Sequence, residues 1–112
     1  MNLIKTYKRP YKDNQIKRVE MFCKQNNLVF TNLQIFEGYV TFDGYSNTSY
    51  EDLAKKLIRE QYSLEDEYKL HREAIMNGIN DEFLTYNAYV EGCKTIAKDF
   101  ISQREKAIGS GS

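Results

Sequence analysis

Apolar residues recur at alternating spacings of three and four along the last quarter of the chain, from Asp81 to Ile108. One face contains Phe83, Tyr86, Val90, Cys93, Ala97, Phe100 or Ile101, and then Arg104. This spacing predicts one long amphipathic helix. At 1.5 Å per residue the helix would be about 40 Å long, which exceeds the width of a compact domain of this size. We therefore expect part of it to project or to lie against another chain.

Weaker patterns predict the elements at the start of the chain. Alternation of side chains over Met1–Lys8 indicates a short strand, which ends before Pro10. Asp13 or Asn14 can cap a following helix, which the apolar spacing carries to about Asn26. The chain thus begins with a strand and a helix.

The middle of the chain predicts a hairpin and two helices. Residues Leu28–Tyr45 are rich in β-branched and aromatic side chains, and Gly38 marks a turn between two strands. Ser49 and Asp52 have the spacing of a capping box and open a helix that ends near Tyr62. Further capping signals follow at Ser63 with Asp66 and at Asn80, with Gly78 as the stop between them.

This order predicts an α+β fold in which a small antiparallel hairpin or meander packs against a helical layer. A sheet of two or three strands needs cover from other elements, and we expect Leu53, Leu57 and Ile58 with the long helix to supply it. Residues 1–108 are expected to form one domain. Residues 109–112, Gly-Ser-Gly-Ser, resemble a linker added for expression.

Composition narrows the classes of function. The chain is 41% hydrophobic and 29% charged with a formal net charge of zero, which is typical of a folded domain and argues against bulk binding of nucleic acid. No apolar run reaches the ~20 residues of a membrane span, so we expect no membrane partner and a cytoplasmic location. Cys23 and Cys93 are isolated and are expected in the core. No cofactor and no metal are predicted.

Two groups of residues resemble chemical sites: His71 with Glu67, and the acidic run at residues 65–67. For each of them the sequence favours a structural interpretation. His71 lies four residues after Glu67, a spacing that suits an acid–base pair, but no nucleophile accompanies it, and we expect a half-buried histidine bonded to Glu67 or to a carbonyl. The acidic run at residues 65–67 is expected at a helix N-terminus, where negative side chains stabilise the helix dipole.

Gly92 inside the long helix indicates either close approach of another group or a tolerated defect on the solvent face.

Two surfaces are candidates for binding. Residues 1–24 contain seven basic and two acidic side chains, and basic residues alternate there with tyrosines. Phosphate contacts and base stacking would use Lys5, Tyr7, Lys8, Arg9, Tyr11 and Lys12, unless this segment is an edge strand protected by its lysines. A second row of the long helix flanks its main face and either widens the core or binds a partner; it consists of Tyr89, Ile96, Phe100 and Ala107.

The segment Leu53–Phe100 resembles the C-terminal part of small proteins encoded in bacteriophage and prophage regions. The resemblance rests on a helical-hairpin order that includes Tyr62, Ser63, Asp66, Glu67, Tyr86, Asn87, Glu91 and Cys93. It implies an origin in a phage or mobile element and an accessory role near phage structural genes. It implies no catalytic residues.

These observations favour a non-catalytic interaction protein that uses a helical surface. It would serve either as a virion or assembly component or as an inhibitor of a host defence factor, through a protein partner or through self-association as a homodimer. The alternative is a nucleic-acid or nucleotide-binding module that uses the basic and aromatic N-terminal segment. An enzyme has the least support, because the chain offers only His71 with Glu67 as convergent groups.

Overall fold

The computed structural model describes the backbone of residues 3–110 and the side chains of residues 3–109. The elements in order are β1 (Ile4–Arg9), α1 (Gln15–Gln25), β2 (Leu28–Phe36), β3 (Tyr39–Ser46), α2 (Tyr50–Arg59), α3 (Leu64–Asn77) and α4 (Asp81–Ser110). This arrangement confirms the predicted α+β class with a long C-terminal helix. The first two residues of the predicted strand and the last two of the predicted linker lie outside the described residues, whereas Gly109 and Ser110 continue α4.

Contacts divide the chain into two compact units. The first contains the residues up to Thr48 together with those from Ser102 onward, and the second is Ser49–Ile101.

In the first unit, the three strands form an antiparallel sheet in the order β1-β3-β2. The hairpin between β2 and β3 turns at Gly38, whose φ of 87° favours glycine, as the sequence predicts. The pairing of β2 with β3 shifts between Thr31 and Gln34, where Asn32 adopts a φ of 54°. This irregularity has no signal in the sequence beyond the tolerance of asparagine for positive φ.

Helix α1 covers one face of this sheet. Val19 and Cys23 of α1 are buried with Val40 and Phe42 of β3, and the ring of Phe22 meets that of Phe42 edge to face. Within the first unit the apolar cover of the sheet thus comes from α1, a contribution that the sequence analysis did not include. The end of α4 also belongs to this unit, where Arg104 Nη1 donates to the carbonyl oxygens of Ser46 at 2.9 Å and Thr48 at 2.8 Å.

The second unit contains α2, α3 and most of α4. Each helix begins at a predicted cap: Ser49 Oγ accepts from Asp52 N, Ser63 and Asp66 form a complete capping box, and Asn80 Oδ1 accepts from Phe83 N. The predicted inner face of α4 is confirmed by its buried members in this unit, which are Tyr86, Cys93, Ala97 and Phe100. Helix α3 differs from the others, because none of its residues is buried.

Candidate functional site

Among the described helices, α3 has the large apolar side chains with the highest exposed fractions. Leu64, Tyr68 and Ile75 are four and seven residues apart, which places them on one side of the helix, and Met76 lies beside Ile75. Their side chains are 57%, 73%, 85% and 74% exposed, respectively. Side chains of this kind are normally scattered singly over a protein surface. We call these four residues the α3 stripe.

Two charged residues run along one edge of the α3 stripe. Glu65 and Arg72 are both exposed and lie two helical turns apart, so they lie on the same side of α3. Neither forms an ion pair with another residue in the range 3–109. The exposed face of α3 thus combines an apolar row with one acidic and one basic group, both available for an external partner.

A polar network centred on Glu67 attaches α3 to its neighbours. The Glu67 carboxylate accepts a hydrogen bond from the Tyr86 hydroxyl and pairs with the Arg59 guanidinium. Burial alone raises the pKa of Glu67, but the hydrogen bonds from Tyr86 and Arg59, with the charge of Arg59, outweigh it and hold that pKa below its usual value. Glu67 is three residues after Leu64, so both contacts hold α3 to its neighbours along one flank of the α3 stripe.

Aromatic rings complete this attachment. The ring of Tyr62 meets Tyr86 edge to face with centroids 5.0 Å apart and lies 5.6 Å from Tyr89. The His71 ring makes similar edge contacts with Phe83 and Tyr86 at 5.4 and 5.7 Å. His71 itself is exposed and makes no hydrogen bond to any described residue, so the predicted half-buried, hydrogen-bonded histidine is wrong. Its ring packs against aromatic edges instead.

The acidic run at residues 65–67 has two of its three carboxylates engaged within the chain. Asp66 accepts from the Ser63 backbone N–H, and Glu67 binds Arg59 and Tyr86. Over the described residues, no group of three or more His, Cys, Asp or Glu side chains is arranged to hold a metal ion. An open depression of about 390 Å³ near the α3–α4 connection is lined by Tyr62, Leu70, Asp81, Glu82 and Thr85.

The predicted partner-binding row of α4 does not form one exposed surface. Phe100 is 5% exposed and belongs to the buried residues, which agrees with the alternative that this row widens the core. Tyr89 is half-buried and its hydroxyl donates to the Leu57 carbonyl at 2.9 Å. Ala107 is half-buried, and Ile96 is exposed at 53%. Of the four residues, only Ile96 presents a large apolar side chain to solvent.

The predicted nucleic-acid segment is divided between two faces of the sheet. Tyr7 and Arg9 lie on the face covered by α1, whereas Lys8 lies on the opposite face with its ammonium 4.6 Å from the Tyr39 ring centroid. Tyr7 is stacked on Phe42 at 5.3 Å and meets Phe22 edge to face. Its ring is therefore part of the core and is not free to stack on a base.

The remaining residues of that segment, Lys5, Tyr11 and Lys12, also lie at different places on the first unit. Lys5 shares the Tyr7 side of β1, with its ammonium 5.2 Å from the Tyr7 ring centroid, and Lys12 is exposed after the strand. Tyr11 is half-buried and packs beside the α1 core together with the Arg9 and Arg18 guanidiniums. The six predicted residues do not form a single patch, although Arg9 and Tyr11 lie together.

Sequence reasoning missed α3 as the most exposed apolar face. The signal was present, because Leu64, Tyr68 and Ile75 form a regular row, but the same row predicts a core face when its cover is unknown. No helix in the described part of the chain is both long and apolar enough to cross a membrane. No family model, curated protein or solved structure matches the chain.

Proposed function

We propose that this protein is a non-catalytic interaction protein whose binding surface is the α3 stripe, and that the stripe binds a second copy of the chain. The observation that supports the proposal is the exposure of Leu64, Tyr68, Ile75 and Met76, each more than half exposed on one helix. Burying such side chains is worth about 1.5–3 kcal/mol each when they leave water completely. A partner that covers the four exposed side chains of α3 would therefore contribute a favourable free energy of association.

The charges beside the stripe favour an antiparallel second copy. When two identical helices pack antiparallel, residues on the same edge of each helix face one another across a two-fold axis. Glu65 of one copy then lies near Arg72 of the other, and the same pair forms again by symmetry. This register also brings Leu64 of one copy near Ile75 of the other. The apolar and charged groups are therefore complementary in one and the same arrangement.

The size of the surface suggests a weak association. A 14-residue helix is roughly 21 Å long, and one helical face of that length buries less area than the ~800 Å² per partner of a stable interface. Ile79 and Leu84, which are 67% and 55% exposed, follow in the α3–α4 connection and the first turn of α4 and offer further apolar area. We expect dissociation in the micromolar range.

Self-association bears on the two biological roles that the sequence suggests. The resemblance to small phage and prophage proteins supports an origin in a phage or mobile element. A surface that binds its own copy favours a virion or assembly component, whereas capture of a host defence factor would require a surface complementary to a different protein. We propose the assembly role and keep the inhibitory role as the alternative if the second copy is not the occupant.

Charge reversal tests both the surface and its occupant. Arg72→Glu places two acidic groups against each other at both symmetric positions and should weaken the dimer by about tenfold. The double variant Glu65→Arg with Arg72→Glu restores opposite charges and should recover dimerisation. Lys98→Glu makes the same change of charge at an exposed position of α4 and should leave the dimer unchanged. Circular dichroism checks that each variant keeps its helices.

Sedimentation equilibrium at low salt measures these dissociation constants. Recovery in the double variant would identify the partner as a second copy, because a different protein would lose its own complementary charge in that variant. A double variant weaker than the single one would contradict the antiparallel arrangement.

A further inference from the structure

Within residues 3–109, the basic side chains near the start of the chain form no ion pair with an acidic residue. Residues 1–24 contain seven basic side chains and two acidic ones. Ion pairs among residues 3–109 join Arg59 to Glu67, Lys94 to Glu91 and Arg104 to Glu105, and none involves a basic residue of this segment. The excess positive charge is therefore not neutralised locally, and an anion is the complementary partner.

Two guanidinium groups of this segment lie around one tyrosine. Arg9 Cζ is 5.9 Å from the ring centroid of Tyr11 and 5.0 Å from that of Phe22. Arg18 Cζ is 5.8 Å from the same Tyr11 ring. Ring contacts of this kind hold a guanidinium through its carbon plane and leave its N–H groups for acceptors. Arg9 is the last residue of β1 and Arg18 lies in α1, so two separate elements each place a guanidinium beside the same ring.

Beside these groups α1 forms an open depression. Its volume is about 320 Å³ and its lining is Tyr11, Arg18, Met21, Phe22 and Gln25. The α1 residues of this set are three, four and seven positions from Arg18, so they form one face of the helix. The depression therefore has an apolar and aromatic floor with a guanidinium and a carboxamide at its polar positions. Its volume is at the lower end of small-ligand sites.

Arg9 also carries an unmet hydrogen-bonding group. Its Nε is buried and has no hydrogen-bond partner in the part of the chain that the structure describes. A buried donor without an acceptor is unfavourable, and a charged one more so. A small rotation that exposes the Nε and Nη edge would let an anion accept both hydrogen bonds, which is the two-point geometry that phosphate oxygens match. Binding of the anion would then give the Arg9 Nε–H the acceptor that it lacks.

We infer that the Arg9–Tyr11–Arg18 cluster and the adjoining depression bind a nucleoside phosphate. The two guanidiniums donate hydrogen bonds to the phosphate oxygens, and the base lies against Tyr11 and Met21. The Gln25 carboxamide is placed to hydrogen-bond a base edge. This site differs from the nucleic-acid surface that the sequence suggests, because Tyr7 is in the core and Lys8 is on the opposite face of the sheet. It is also independent of the α3 stripe.

Calorimetric titration at low salt tests this inference with four probes: adenosine monophosphate, inorganic phosphate, a single-stranded DNA oligonucleotide, and a glutamate-rich peptide. Arg18→Gln is the informative variant because Arg18 is exposed and its loss leaves the core intact. Lys17→Gln removes the same charge from the adjacent exposed position, which does not line the depression, and serves as the matched control. Thermal unfolding confirms that both variants fold.

We expect adenosine monophosphate to bind saturably and with higher affinity than inorganic phosphate. Arg18→Gln should weaken this binding by about tenfold or more, and Lys17→Gln by less than threefold. Equal affinity for the monophosphate and the oligonucleotide identifies a free nucleotide as the source, and a tighter oligonucleotide identifies single-stranded nucleic acid. Absence of saturable binding by either, an equal loss in both variants, or preference for the acidic peptide would overturn the inference.

Discussion

Tyr86 of α4 donates its hydroxyl hydrogen to the carboxylate of Glu67 on α3, and the same carboxylate pairs with Arg59 of α2. One acidic side chain therefore joins the three helices of the second unit. Tyr86 is 5% exposed, and the Glu67 side chain is 19% exposed, so these contacts are largely shielded from water. These contacts hold α3 to α2 and α4.

Replacing Tyr86 with phenylalanine should destabilise the protein. The substitution removes a hydrogen bond to a charged acceptor but keeps the ring that packs against Tyr62 and His71. We expect a loss of about 1.5–3 kcal/mol in the free energy of unfolding. Urea denaturation measures it, and Tyr68→Phe is the control, since Tyr68 is 73% exposed and makes no hydrogen bond to a described residue. Equal stability of Tyr86→Phe and the parent protein would remove this role for the hydroxyl.

The same hydrogen bond predicts how stability changes in alkali. Burial, then the hydrogen bond to Glu67 and its negative charge, raises the pKa of Tyr86 from 10.0 to about 12. Folding therefore favours the protonated phenol, and this contribution is complete below pH 10 and is lost as the pH rises towards 12. Denaturant midpoints measured at intervals from pH 9 to about pH 12 should fall less steeply for Tyr86→Phe than for the parent. Parallel pH dependences would contradict the raised pKa.

Gly92 should be replaceable by alanine with a gain in stability. A Cβ atom built at Gly92 meets no atom within 4 Å, so the glycine is a tolerated defect on the helix and no neighbour requires it. Alanine should add about 0.5–1 kcal/mol to the free energy of unfolding because it lowers the entropy of the unfolded chain.

Gly44→Ala is the matched opposite case. A Cβ atom there would lie 2.7 Å from Cε2 of Tyr7, in the stacked core of the sheet, and the substitution should be destabilising by about 1–3 kcal/mol. Thermal or urea unfolding compares the two variants directly. Destabilisation by Gly92→Ala would mean that another group approaches that glycine closely.

Local signals in the sequence predicted the helix starts and the hairpin turn. The capping box of Ser63 with Asp66 and the positive φ of Gly38 depend on neighbouring residues, so a short window of sequence is enough to identify them. The helical state of α4 was predictable for a related reason, because an apolar row that repeats over many residues identifies a helix.

The partners of each apolar face were not predictable in this way. A row such as Leu64, Tyr68 and Ile75 has the same spacing whether another element covers it or not. Likewise, alternation along β1 separates Tyr7 from Lys8 but does not say which side faces α1. Both candidate binding sites depend on this missing information: the α3 stripe on the lack of cover, and the Arg9–Tyr11–Arg18 cluster on the meeting of β1 with α1.

The solution mass of three proteins across a dilution series, measured by light scattering, tests the central claim most directly. The parent chain should move from monomer towards dimer as concentration rises, Ile75→Ser on the α3 stripe should stay monomeric, and Ile96→Ser on α4 should behave like the parent. Ile75 and Ile96 are 85% and 53% exposed, so neither change removes a core side chain. A parent chain that is monomeric at every concentration, or a dimer abolished by Ile96→Ser and retained by Ile75→Ser, would contradict self-association through α3.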